Sequence, residues 1–564
     1  MRAWEAGRID VLSQKSILEH SIAARYRALP EGLVGDLTAA RELKILLEGA
    51  VALESEDAME TVLEVAAAGL VPGKYTRQMA PYLVREAGEK AAMAFTSNTA
   101  RNALVGIARG GVKLDRSREL GVRAAAMRVI GLRGEKTLRS VLERQLGVPE
   151  PVLRLAAAEG LGWLGDAAGA GALADALSRE REENVLLAEV GALRSLFAPF
   201  ARKPEKPKEP GDPAAGDPKP GDSTAGRDGA SAVAAAPAES ARLAVRAAIA
   251  ALGRASWRLD MEICALLSDL RSGEAIPALI DVLQRFKDHP EEVQSGRLSG
   301  LLLHRAHELL VELTGAVFPQ DQPERWRELW ESEKESLTAM VEKARPREHK
   351  SEGTASKGFF GIPVQGTRVL FVIDLSGSMN FPMHGYRTAS PGSKPPEAET
   401  RLDYAKREIE RAVRDMPENS FFNFVTYNGN PKSKQWMKDL VQATSSNKER
   451  ALKFLRAMRA DGGTNMWSGL EVGIRMKSLV YGDRYETNVD EMFLVSDGAP
   501  NLGDVTDPVE ILRLVTETNR FSRLRINTIF ITSPNERDPV GMAITPSELM
   551  KRMAEQNGGR FVRL

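Results

Sequence analysis

The sequence is poor in the residues that carry most catalytic and cross-linking chemistry. It has one cysteine, Cys264, in 564 residues. A single cysteine excludes an intrachain disulfide and any zinc site built from cysteines. Its setting in the apolar run MEICALLSDL predicts a buried side chain. The lack of disulfides fits a reducing compartment. Histidines number six, and none has a convincing nucleophile partner. There is no Gly-Lys-Ser/Thr phosphate loop and no G-x-S-x-G elbow. No catalytic constellation emerges, so the expectation is a protein that is not an enzyme. No apolar run approaches the roughly 18 residues of a membrane span. The opening MRAWEAGRIDVLSQKS has no apolar core of a signal peptide. Together these predict a cytoplasmic protein, or a secreted or periplasmic one if the true start lies upstream. Net charge is also missing, since Lys+Arg and Asp+Glu both number 77. No global field draws the chain to nucleic acid or to an anionic membrane.

What is present reads as soluble and globular, with 43% hydrophobic and 27% charged residues. The length exceeds what one core usually holds, so at least two domains are expected. Residues 1–201 read as helices, rich in Ala, Leu, Glu and Arg with apolar residues at helical spacing. RAAAMRVIGLRG (123–134) aligns with RLAAAEGLGWLG (154–165), pairing Arg123 with Arg154, Gly131 with Gly162 and Gly134 with Gly165. A second helix follows each copy. A weaker copy, VRAAIAALGRASWRLD (245–260), precedes SGEAIPALIDVLQRF. Helix, turn and helix in units of roughly 30–45 residues are the mark of an α-solenoid. The Ala-rich helix followed by a Leu-rich one resembles HEAT-type repeats.

Residues 202–238 are dominated by Pro, Gly, Lys and Asp and are expected to form a disordered insert. Helical repeats continue over 239–345, where Trp326 and Trp330 are four apart on one predicted helix face. A polar linker is expected at 346–366. GLGWLG (160–165) fits the G-x-G-x-x-G pattern, but it follows a helical run and belongs to the repeat, so packing explains it better than a nucleotide. His304 and His307 are three apart on a helix with no third ligand evident, which reads as helix packing.

From 367 to 564 short β-rich runs alternate with amphipathic helices. TRVLFVID, FFNFVTYN, EMFLVSD, RINTIFIT and GRFVRL read as strands. This alternation predicts an α/β domain: a doubly wound, mostly parallel sheet with helices on both faces. In such sheets ligands sit beyond the carboxyl ends of the strands. Asp374 ends the first strand, and Ser376 and Ser378 follow it. RADGGTNMWSG brings Thr464 after a Gly-Gly pair, and LVSDGAPNLGD ends another strand with Asp497. Two carboxylates and three hydroxyls are hard oxygen donors of low total charge, a set that suits Mg²⁺.

The order D-x-S-x-S, G-G-T, S-D-G resembles the metal-ion-dependent adhesion site of von Willebrand factor A (VWA) domains. The resemblance covers 367–564 and matches at Asp374, Ser376, Ser378, Thr464 and Asp497. It implies a Rossmann-like VWA fold holding Mg²⁺ or Mn²⁺. The serines and Thr464 would touch the metal directly, and the aspartates directly or through water. A carboxylate of a partner protein would take the open coordination position. Between the metal loop and the helix at Arg401 lies a Pro/Gly-rich insertion, 380–400, placed where a lid or specificity loop would be.

The expected function is therefore a non-enzymatic, metal-dependent scaffold or adaptor. Its partner would be a protein with an exposed Asp or Glu, and the solenoid would give a second binding surface. Two alternatives stand beside it. One is RNA binding, since Ro ribonucleoproteins also join a helical ring to a VWA domain. The neutral charge and the missing basic-aromatic pattern argue against it. The other is an accessory subunit of a AAA-type ATPase complex.

Overall fold

The structure, a computed structural model, describes residues 37–70, 80–112, 116–201, 227–343, 358–383, 399–430, 432–474, 487–532 and 544–564. Up to Lys343 every element is helical. The series is α1 (Leu37–Leu53), α2 (Glu56–Ala66), α3 (Ala80–Ala94), α4 (Asn98–Arg109), α5 (Arg116–Arg133), α6 (Arg139–Glu143), α7 (Pro151–Leu164), α8 (Ala170–Arg179), α9 (Glu183–Ala201) and α10 (Arg227–Ala251). It continues with α11 (Trp257–Leu270), α12 (Ala275–Asp288), α13 (Pro290–Ser295), α14 (Gly300–Thr314) and α15 (Pro323–Lys343). The helices stack alternately. α3, α5, α7, α9 and α11 pack each on the next and form one ladder. Buried side chains from Leu43 to Val341 make a single continuous core.

The repeat glycines act at the contacts of this ladder. A Cβ on Gly131 of α5 would lie 2.5 Å from Gly160 Cα of α7, and one on Gly162 would lie 2.9 Å from Ala192 Cα of α9. Only glycine lets the backbones approach so closely. Gly134 and Gly165 terminate α5 and α7 at φ +67° and +66°, in the left-handed region. The GLGWLG stretch is thus a helix end and a helix crossing. His307 is likewise structural: its Nε2 lies 2.6 Å from the Phe318 carbonyl oxygen, and its ring meets Trp326 edge-on. Trp326 is buried, and Trp330 packs partly buried against the same core.

Two expected boundaries need correction. α10 begins at Arg227, so 227–238 are helical although the sequence reading places them in the insert. The run from Ala230 to Ala236 is Ala-rich, and alanine is the strongest helix former. Residues 202–226 lie outside the described residues. The expected linker at 346–366 is not polar throughout. Phe359 and Ile362 pair as a tight bridge, and Phe359 is buried edge-on against Phe371 and Phe493, with both centroids 5.2 Å away. Residues 344–357 lie outside the described residues, as do 384–398 of the insertion.

The C-terminal part is a mixed, mostly parallel sheet between helices. Its elements are β1 (Arg368–Asp374), α16 (Arg401–Asp415), β2 (Phe421–Tyr427), β3 (Lys434–Gln435), β4 (Val441–Gln442), α17 (Ser445–Ala457) and α18 (Met466–Ile474). They are followed by β5 (Glu491–Ser496), α19 (Pro508–Ser522), β6 (Arg525–Phe530), α20 (Pro546–Gln556) and β7 (Phe561–Arg563). The strand order is β3-β2-β1-β5-β6-β7, with β4 also on β2. β3 and β4 are antiparallel to β2, and the other pairings are parallel. Strand alternation sends Val369, Phe371 and Ile373 to a core beneath α16 and α17. Leu370 and Val372 enter the opposite core beneath α18, α19 and α20. The chain leaves β1 for β2 on one side and returns to β5 on the other. The carboxyl ends of β1 and β5 therefore flank a switch in strand order, where such sheets bind ligands.

The two parts are joined at the other end of the sheet. Ser299 Oγ donates to Asp490 Oδ2 at 2.6 Å, just before β5. Arg368, at the start of β1, donates to the Gln294 carbonyl oxygen. A Cβ on Gly300 would lie 2.3 Å from the Gln365 oxygen, so the start of α14 is pressed against the approach to β1. α19 lies along the ladder. Phe521 of α19 joins the core of the helical part. Arg520 pairs with Glu159 of α7, Glu517 with Arg85 of α3 (3.2 Å) and Arg523 with Glu262 of α11 (3.1 Å). Arg258 of α11 donates to the backbone oxygens of Ser522 (2.6 Å) and Thr487 (2.9 Å).

Candidate functional site

Three loops meet beyond the carboxyl ends of β1 and β5, and each is tied to another by backbone hydrogen bonds. Gly377 N–H donates to Gly462 O at 2.8 Å, and Asp461 N–H to Leu375 O at 2.7 Å. Thr464 N–H donates to Asn501 Oδ1 at 2.8 Å, while Asn501 N–H returns to Thr464 O at 3.0 Å. Gly462 holds φ +78°, and a Cβ on Gly463 would lie 2.6 Å from Leu502 Cδ1. The Gly-Gly pair before Thr464 is therefore required by a turn and by a close approach.

Asp374 is fully buried at the end of β1. Its Oδ1 accepts from Ser376 N–H and its Oδ2 from Ser496 Oγ, both at 2.7 Å. Burial first, then the Asp497 charge, push this carboxyl up to about 7, against the pull of the Ser496 and Ser376 hydrogen bonds. Ser376 Oγ lies 3.1 Å from Ser378 Oγ, and Ser378 Oγ donates to Asp497 Oδ1 at 2.8 Å. The Thr464 and Ser378 hydroxyl oxygens lie 3.9 Å and 4.0 Å from where a Cβ on Gly498 would stand, so both face the space over that glycine. The five residues singled out in the sequence thus occupy one edge of the sheet. Among the described residues no group of three or more His, Cys, Asp or Glu is placed to hold a metal ion. Hydroxyls make up most of this donor set.

Other residues complete the site. Arg401 is the first residue of α16, and its side chain is 2% exposed. Its Nη1 donates to Asp497 Oδ2 at 2.8 Å, and its guanidinium lies 5.5 Å from the centre of the Phe381 ring. Arg401 N–H donates to Phe381 O at 2.9 Å and Met383 N–H to Glu399 O at 3.0 Å. These bonds close the base of the insertion beside the Ser378 loop. Tyr427 stands opposite Asp374 in the β1–β2 register. Burial, then the Asp374 charge, hold its phenol well above the usual range. Phe381 and Leu502 are 52% and 46% exposed on the rim. Nothing in the sequence sets Arg401 apart from the other charged residues of its helix. Ser496 was visible in the S-D-G triplet, but only as a neighbour of Asp497.

Residues 369–499 match the family model of the von Willebrand factor type A domain, and 112–194 match that of HEAT repeats. The human inter-alpha-trypsin inhibitor heavy chain H3 is 31% identical over 146 residues, 26% of this chain and 14% of the relative. Mouse inter alpha-trypsin inhibitor heavy chain 4 is 28% identical over 160 residues, 28% of this chain and 14% of the relative. The chain thus matches only a small part of the length of these relatives. Among solved structures, a von Willebrand factor type A protein from Catenulispora acidiphila is 18% identical, covering 35% of this chain and 38% of that one with a TM-score of 0.26. The C-terminal α/β part is therefore similar to VWA domains, and part of the helical ladder is similar to HEAT repeats.

Proposed function

We propose that the protein is a non-enzymatic adaptor that binds a partner protein through a divalent cation at the carboxyl edge of its sheet. The observation that carries this reading is the oxygen spacing. Ser376 Oγ to Ser378 Oγ is 3.1 Å, and Ser378 Oγ to Asp497 Oδ1 is 2.8 Å. Adjacent ligands of an octahedral Mg²⁺ with bonds of about 2.1 Å stand about 3.0 Å apart. Ser376, Ser378, Thr464, Asp374 and Asp497 would hold Mg²⁺ or Mn²⁺. Bound there, the ion would supply a Lewis-acidic position for a partner's Asp or Glu. Arg401 offsets one of the two carboxylates, which keeps the donor charge low and the ion electrophilic. Phe381 and Leu502 would give the partner apolar contacts beside it. Similarity to the VWA regions of inter-alpha-trypsin inhibitor heavy chains supports a role in protein interaction.

Besides the second binding surface expected of it, the helical ladder has a role within the chain. From α3 to α11 it seats α19 of the same chain. The partner-binding edge lies at the far end of the sheet from the helices that touch Arg368 and Asp490. In this reading the ladder would carry the metal edge on one face and offer the second binding surface on its others. Its seat mixes Arg85, Arg128 and Arg258 with Glu89, Glu159 and Glu262, a pattern unlike the positive ring that RNA binding would need.

The test is calorimetric titration of the purified protein with Mg²⁺ and Mn²⁺, followed by partner capture with Mg²⁺ and with EDTA. Saturable binding of one ion, lost in Asp374→Ala, and capture that EDTA abolishes support the reading. Absence of ion binding by a folded protein sinks it.

A further inference from the structure

We infer that a basic cleft beside the metal edge is a second anchor for the same partner, so that the partner presents two acidic residues close together in sequence. This rests on the metal-bridged reading above. The cleft has a volume of about 240 Å³. Its floor includes Leu375, which sits between Asp374 and Ser376, and Tyr427, the register partner of Asp374. It therefore adjoins the oxygen-donor site and opens at the same sheet edge. Lys432, Lys434 and Arg459 line it, all three exposed. Phe454 forms an apolar wall, stacked on Phe424 at 6.2 Å. No acidic side chain lines the cleft among the described residues.

Three cations without a lining carboxylate repel one another, and in a neutral chain they are a local excess. An anionic group would relieve that excess. A phosphate could supply the charge as well as a carboxylate could. The acidic protein segment is favoured because the adjoining site already calls for a carboxylate, and one extended strand can fill both. The oxygen donors lie over β1 and β5 and the cleft over β2 and β3. Strands are about 4.8 Å apart, so the two centres are separated by roughly 10 Å. An extended peptide advances about 3.3 Å per residue. Acids two to four residues apart therefore reach both positions, given the length of Glu and Lys side chains.

The experiment uses the full chain and short fluorescein-labelled Gly/Ser peptides. One peptide carries a single glutamate. Others carry two glutamates spaced by two, three or four residues. Anisotropy is read with Mg²⁺ and with EDTA, for the natural protein and for Lys432→Ala/Lys434→Ala. Both lysines are exposed, so the variant keeps its fold, which its Mg²⁺ titration checks. The expected result is that a second glutamate tightens binding roughly tenfold at one of these spacings. The variant should lose that gain while binding the single-glutamate peptide as before. The inference is overturned if the second glutamate brings no gain, or if the gain survives in the variant. Mg²⁺-dependent binding of the single-glutamate peptide alone would keep the metal reading and remove the cleft. Binding that ignores EDTA yet falls in the variant would keep the cleft as an acidic-peptide site and remove the metal bridge. Displacement of every peptide by a single-stranded RNA would overturn the assignment of an acidic protein segment. Failure of all peptides in both conditions would overturn both readings.

Discussion

Arg401 and Asp497 form a buried ion pair, Nη1 to Oδ2 2.8 Å, with both side chains almost out of contact with solvent. The first residue of α16 thereby fixes the carboxylate that also accepts from Ser378. Removing one partner of a buried pair leaves the other charge stranded, at a cost of about 3–5 kcal/mol. Arg401→Met should lower stability by that order in urea unfolding of the metal-free protein. Mg²⁺ should then raise the melting temperature of the variant by more than it raises that of the natural protein. The gain arises because the uncompensated Asp497 draws the cation more strongly. Equal shifts in both proteins would show that Arg401 does not set the charge of the site.

The docking of α19 on the ladder makes a second prediction. Arg520 is partly buried between the two parts and pairs with Glu159, which Arg128 also holds at 2.8 Å. Arg520→Ala removes a cation from a closely spaced network in which Arg128 still holds Glu159, and should cost about 1.5–3 kcal/mol. The loss falls on the contact between the parts rather than inside either one. Calorimetry should therefore resolve two unfolding transitions in the variant where the natural protein shows one. A single transition, merely shifted, would mean that the other contacts keep the parts cooperative.

Glu189 of α9 is fully buried, and neither carboxylate oxygen has a hydrogen-bond partner among the described residues. Burial first, then the Glu180 charge, push its pKa well above 4.5. A raised acid is protonated in the folded state and ionised in the unfolded chain. Its contribution to stability is thus fully present below about pH 4.5 and declines as pH rises toward the folded value. The slope is about 1.4 kcal/mol per pH unit. Glu189→Gln should flatten the stability profile between pH 5 and 7 and stabilise the protein at pH 7. Denaturant unfolding across that range measures the slope. An unchanged slope would place the burden on another group.

The strands, the helical repeats and the converging loops were legible because each leaves a local mark. Parallel strands buried on both faces read as continuous apolar runs, and the motif loops follow their ends directly. β3 and β4 were not legible, since two residues make no periodic pattern. Phe359 and Ile362 fall in a stretch that the sequence presents as linker, because a short apolar cluster among polar neighbours does not show what it packs on. The docking of α19 was invisible for a deeper reason. Arg520, Glu517 and Arg523 look like the exposed face of an amphipathic helix, and only the placement of a second helical surface turns that face inward. Arg401 belongs to the same class: its partner is 96 residues away in sequence.

The glycines of the repeat provide the last prediction. Gly131 and Gly160 let α5 and α7 cross with a missing Cβ 2.5 Å from the opposing backbone. A methyl group there meets backbone rather than a movable side chain, so the helices must separate. Overpacking of this kind costs about 1–3 kcal/mol. Gly131→Ala should lose that much in denaturant unfolding. Gly171→Ala, where an added Cβ meets nothing within 4 Å, is the control and should be neutral or slightly stabilising. Because Gly160 and Gly162 also spell a dinucleotide-like pattern, a further variant at Gly162 separates packing from ligand binding. Gly162→Ala should destabilise the ladder against Ala192 of α9, and NAD or ATP should protect neither the natural protein nor the variant from thermal unfolding. Protection of the natural protein that is lost in Gly162→Ala would return the glycines to a nucleotide site.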